Sequence, residues 1–126
     1  MSRIISTLLI FIILTGVIIT GYSFTSRCYD EFSELYMQAE REIEEPEQQN
    51  AVKTVRKMIQ LIEKNKSKLM MMNDHDTIEP LLCKLRRAEK LLKLNEKAPA
   101  SAELGDAGDI MKAIYEYQKP DIENIL

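Results

Sequence analysis

Residues 4–26 read IISTLLIFIILTGVIITGYSFTS, and this stretch decides how the rest of the chain is understood. It holds no charged side chain, and most of its positions are Ile, Leu, Val or Phe. Wound as a helix it rises about 35 Å, enough to cross a hydrocarbon core of about 30 Å with some tilt. A cleaved signal peptide has a shorter apolar region of about 7–15 residues before a small-residue cleavage site. Gly21-Tyr22-Ser23 and Ser23-Phe24-Thr25 match such a site poorly. Arg27, directly before Cys28, interrupts the small residues that a lipoprotein signal needs at that place. The segment therefore reads as an uncleaved anchor that contacts lipid through residues 4–26, with a cleaved, secreted helical protein as the alternative.

Flanking positive charge sets orientation, and here Arg3 on one side nearly balances Arg27 on the other. The short leading tail and the acidic flank Asp30, Glu31 and Glu34 favour a cytoplasmic N-terminus. The expected division is a transmembrane signal-anchor over 1–27 and an extracytoplasmic domain over 28–126. The expected location is the cell membrane, crossed once.

The body is one small domain's worth of chain, long enough to bury a single modest core. Its pattern is helical throughout. Phe32, Leu35, Tyr36, Ala39 and Ile43 recur at helical spacing over 29–44, and Val52, Val55, Ile59, Ile62 and Leu69 do so over 50–72. Residues 78–95 carry Ile78, Leu81, Leu82, Leu85, Ala88, Leu91 and Leu92, with Thr77 as the expected N-cap and Pro80 in the first turn. Ala98-Pro99-Ala100-Ser101 reads as a short linker, after which Ser101 caps a last helix with Leu104, Ala107, Met111, Ile114 and Tyr115. Nothing alternates with a period of two. The expected fold is all-α: one transmembrane helix followed by a small three- to four-helix bundle.

Charge is segregated along these helices in the order acidic, basic, basic, acidic. Opposite signs favour the first body helix beside the second and the third beside the fourth. The first packs beside the fourth only against some repulsion. The overall charge of −3 gives no support to nucleic-acid binding. The basic runs at 53–68 and 84–97 read as solvated helix faces, with contact to anionic lipid or wall polymer as the other use.

Candidate chemistry is sparse. Asp74-His75-Asp76 is the one cluster with metal-ligand residue types, but three adjacent residues rarely converge on one ion, and the reading is an interhelix turn. Leu69-Met70-Met71-Met72 reads as core and helix end, with a partner-binding surface at Met70, Met71 and Met72 as the alternative. Cys28 and Cys83 leave three states open: an intrachain bond, an intermolecular bond through Cys28, or free thiols. Gly16 and Thr20 form a small-xxx-small pair in the span, a spacing that suits helix association. There is one histidine, and no nucleophile elbow, phosphate loop, zinc helix or kinase signature. The chain reads as non-enzymatic, with no cofactor.

The anchor, the run Asn73-Asp74-His75-Asp76-Thr77-Ile78 before a leucine-rich helix, and the ending Glu123-Asn124-Ile125-Leu126 together resemble a family of short bacterial single-pass proteins of unknown function from spore-forming Gram-positive bacteria. The resemblance covers the whole chain. It implies an extracytoplasmic helical domain working beside another membrane or envelope protein, with His75, its flanking aspartates and Asn124 as structural or docking positions. It implies no activity. An accessory or interaction subunit of a membrane or envelope complex is the expected role, and a ligand- or metal-binding helical module is the alternative.

Overall fold

Helix α1, Ser2–Ile43, is one unbroken rod of 42 residues, so the apolar segment and the first body helix are a single element. At 1.5 Å per residue it is about 63 Å long. No proline interrupts it, and five hydroxyls in its apolar half turn back on the helix itself. Ser6, Thr7, Thr15, Thr20 and Thr25 each donate to the carbonyl four residues earlier, at 2.8–3.1 Å. Polar groups satisfied in this way do not disqualify a helix from an apolar medium. The computed structural model describes residues 2–72 and 75–118, all but six of them (Tyr22, Met72, His75, Asp76, Tyr117 and Gln118) with their side chains.

Burial along α1 changes abruptly. Residues 2–20 are all exposed, and the first buried position is Gly21. From there Thr25, Cys28, Phe32, Ala39 and Ile43 form a buried stripe at spacings of three, four and seven. The rod thus leaves the bundle at one end, bare, and enters the core at the other.

The chain turns at Pro46. Gln48, itself buried, donates from Nε2 to the carbonyls of Ile43 at 3.3 Å and Glu45 at 2.8 Å, closing the end of α1. Helix α2, Gln49–Lys64, buries Ala51, Thr54, Val55, Met58, Ile59 and Ile62. The continuous helix expected over 50–72 is divided at Asn65, whose side-chain amide donates to the Leu61 carbonyl at 2.8 Å and draws the backbone out of helical geometry. Helix α3, Lys66–Met72, is the short remainder.

Helix α4, His75–Lys93, starts earlier than Thr77, so the expected N-cap lies inside the helix and Pro80 falls in its second turn. One hydrogen bond is forgone there. The buried face of Ile78, Leu81, Leu82, Leu85, Ala88 and Leu92 holds the turn in place. The helix ends in a Schellman motif: Asn95 takes φ 58°, its N–H donates to Leu92, and the N–H of Glu96 donates to Leu91. Helix α5, Lys97–Gln118, then begins at once. The stretch expected as a linker is therefore its first turn. Pro99 fits because its missing N–H is one that no helix uses there, and Ser101 is interior, not a cap.

Helix α1 packs on α2, α2 on α4, α4 on α5 and α5 on α1, a closed ring of four alternating helices with α3 bridging α2 and α4. The all-helical fold expected from the sequence holds, and no strand occurs among the described residues.

Candidate functional site

The end of the bundle where α1 protrudes gathers the least ordinary features of the molecule. Because α2 runs toward this end and α4 runs away from it, the intervening α3 lies across it, beside α1. Lys68 of α3 sets its ammonium over the ring of Phe24 on α1, 5.1 Å from the centroid, a cation–π arrangement. Met71 is 87 % exposed. Between the two helices runs an open groove of about 690 Å³, floored by Ile13, Gly16, Val17, Thr20, Gly21 and Phe24 and overhung by Lys68 and Met71. The floor residues recur at three and four, one continuous face of α1.

Above this end, α1 and α5 meet through aromatic contacts. The rings of Tyr29 and Tyr115 stack at 4.4 Å with 14° between their planes. The ring of Tyr36 lies against the backbone of Gly108. The acidic faces of both helices therefore meet through uncharged groups. Burial, a hydrogen bond with Glu40 and the charges of Glu40 and Asp109 push the Tyr36 phenol up to about 12. Cys28 sits one residue from Tyr29 and is buried in the core. Burial, reinforced by Glu31, pushes its thiol up to about 11, the opposite of what a reactive thiolate needs. Cys28 and Cys83 are both free, the second exposed.

The two basic helices α2 and α4 are neighbours, which charge pattern alone disfavours. Their few acidic residues resolve the conflict. Arg56 donates to Glu89 from Nε and Nη2 at 3.0 and 2.9 Å and Arg86 pairs with Glu63 at 2.7 Å, while Lys66 of α3 pairs with Glu79 of α4 at 2.6 Å. Burial pushes the Glu89 carboxyl up, but Arg56 and Lys93 outweigh it and hold the group below the usual carboxylate range. Across α4 and α5, hydrogen bonds to Asp106 and Glu103 raise the Lys84 ammonium above its ordinary value.

Of the residues singled out from sequence, Met70 is half-buried and packs on the core, while Met71 faces out beside the groove. Asp74 and Asn124 lie outside the described residues, as do the side chains of Met72, His75 and Asp76. Among the described residues, no three His, Cys, Asp or Glu side chains converge as a metal would require. Sequence reasoning missed Lys68 and Phe24 as a pair. The helical spacing of Ile13, Val17 and Phe24 was visible, but the return of α3 over it was not.

The fold and this end define a class: a small four-helix bundle carried on a protruding apolar helix, the one described helix long and apolar enough to cross a membrane. Within that class the chain belongs to the family described as a domain of unknown function, DUF4363, whose model matches residues 19–125. The match begins two residues before α1 becomes buried. No curated protein and no solved structure matches the chain.

Proposed function

We propose that this protein is a membrane-anchored, non-enzymatic helical subunit, held by residues 4–26 with its N-terminus in the cytoplasm and its bundle outside, and working beside another membrane or envelope protein. The observation that carries the reading is the continuity of α1. Twelve large apolar side chains, from Ile4 to Ile19, are more than half exposed on a rod that runs without a break into the bundle core. Exposed apolar surface on that scale marks a membrane or protein interaction site. A rod that is also a bundle helix fixes the domain at a set height and angle above the bilayer, where a floppy tether would not.

The test pairs topology with capture. Protease applied to intact spheroplasts should remove a C-terminal tag from a chain that is full length before treatment. In-membrane cross-linking from the α1-exit end should yield a discrete adduct. Full protection of the tag would reverse the orientation. A shortened mature chain would replace the anchor with a secreted protein, and a chain that cross-links only to lipid would remove the subunit role.

A further inference from the structure

We propose that the groove between α1 and α3 is a binding site for one anionic phospholipid of the leaflet nearest the bundle, its acyl chain along Ile13–Phe24 and its phosphate at Lys68. This rests on the anchor reading above. The first argument is length. From Ile13 to Phe24 the floor climbs about 16 Å along the helix axis, close to the roughly 15 Å of one leaflet of hydrocarbon. With the exposed rod centred in the bilayer, Ile13 lies near the midplane and Phe24 near the headgroups.

The second argument is charge. A cation stands at the headgroup end of the groove and none along its floor. Lys68 is held over the mouth by the face of Phe24, and among the described residues it pairs with no carboxylate, whereas neighbouring Lys66 is taken up by Glu79. A long apolar floor ending in a positioned ammonium complements a molecule with a long apolar tail and an anionic head.

The third argument separates a lipid from a partner helix. Helix α3 roofs the groove at Lys68 and Met71, so a rigid helix about 10 Å across, continuing past the interface, would run into it. Thr20, the one hydroxyl on the floor, already donates its proton to the Gly16 carbonyl at 2.8 Å, so the Gly16–Thr20 pair offers a partner helix close packing but no hydrogen-bond donor. A flexible chain that ends at the roof fits where a helix does not.

The experiment uses the full chain in bilayer nanodiscs of phosphatidylcholine doped with phosphatidylglycerol, released into mild detergent and weighed by native mass spectrometry. The wild type should retain one phosphatidylglycerol per chain, favoured over phosphatidylcholine about fivefold, the factor that ~1 kcal/mol per lysine at an anionic surface implies. Lys68→Gln should erase the preference. Gly16→Leu should expel the lipid, because a side chain added at Gly16 meets no protein atom and enters the open groove. Lys53→Gln, at the far end of the bundle beside Pro46, should change nothing. A preference that survives Gly16→Leu would mean diffuse surface attraction and overturn the site. A wild-type dimer lost in Gly16→Leu would assign the groove to a second copy. A chain that never enters the disc fraction would refute the anchor, whereas an inserted chain without retained lipid would refute only the lipid site.

Discussion

The ring of Tyr36 rests so closely on Gly108 that a Cβ built at that glycine would stand 2.8 Å from Cε2 and 3.2 Å from Cζ. The contact joins α1 to α5 where both helices are acidic, and it sets their approach. At Gly105, one turn away on the same helix, an added Cβ meets nothing within 4 Å. The two glycines therefore make a matched pair for experiment. Gly105→Ala gains helix propensity of about 1 kcal/mol without a clash and should raise Tm. Gly108→Ala gains the same propensity but must displace the Tyr36 ring, at an overpacking cost of about 1–3 kcal/mol, and should lower Tm by several degrees. Circular dichroism melts of the full chain in one detergent would compare them. Removing the ring with Tyr36→Ala should convert Gly108→Ala from harmful to neutral or better. Equal shifts for the two alanines would show that the close approach does not govern this seam.

Cysteine chemistry gives a second contrast. Cys83 is exposed, while Cys28 is 3 % exposed with its thiol pushed up to about 11. At pH 8 a thiol reagent should modify the folded chain once, at Cys83, and a second time only after denaturation; Cys83→Ser should abolish the fast phase. The sign of the pH effect follows from the raised value. The native state holds the Cys28 proton more tightly than the unfolded chain does, so this contribution is full below pH 9 and is lost as pH rises through about 11. Two labels at equal rates in the folded state would contradict the buried placement.

The core faces were legible because helical periodicity is a local property. Phe32, Ala39, Ile43, Val55, Ile59, Ile62, Leu69, Leu85, Leu104 and Ile114 are buried as their spacing implies. The boundaries were less so, since they turn on single residues with two readings. Asn65 falls inside the helical pattern of 50–72, yet its amide competes with the backbone and splits α2 from α3. Pro99 looked like a linker, yet a proline suits a first turn equally well. The groove was the least legible feature. It depends on α3 returning across α1, a meeting of residues far apart in sequence that charge and periodicity do not specify.

Glu89 is one of the acidic residues that let two basic helices lie side by side, taking Arg56 of α2 at 2.9 Å and Lys93 of its own helix at 3.3 Å. Glu89→Lys should destabilise the bundle by about 1–2 kcal/mol, more than Glu63→Lys, because Glu89 is the better shielded of the two and loses two partners. Its carboxyl titrates below its ordinary value of 4.5. The stabilisation it supplies is therefore present above about pH 4.5 and lost as pH falls through the depressed native value. Urea midpoints from pH 7 down to pH 3 should fall in the wild type, and Glu89→Gln should flatten part of that fall. Identical pH profiles for the two chains would mean that other carboxylates dominate the acid limb.

The abrupt onset of burial at Gly21 carries a prediction about the rod. No buried residue lies among positions 2–20, and the family match begins only at Ile19. The apolar half of α1 therefore contributes nothing to the bundle core, and on the anchor reading its exposed surface is what calls for detergent or lipid. A chain lacking residues 2–20 should be soluble without detergent and lose only the helicity of the missing rod. It should melt in one cooperative transition within a few degrees of the full chain, because the stripe from Thr25 to Ile43 and the stacked Tyr29 and Tyr115 remain. Sedimentation and circular dichroism on the shortened chain would check this. A soluble but non-cooperative product would show that the rod braces the α1-exit end from below. An aggregating product would show that the bundle carries further exposed apolar surface, with Met71 and Phe24 the first residues to examine.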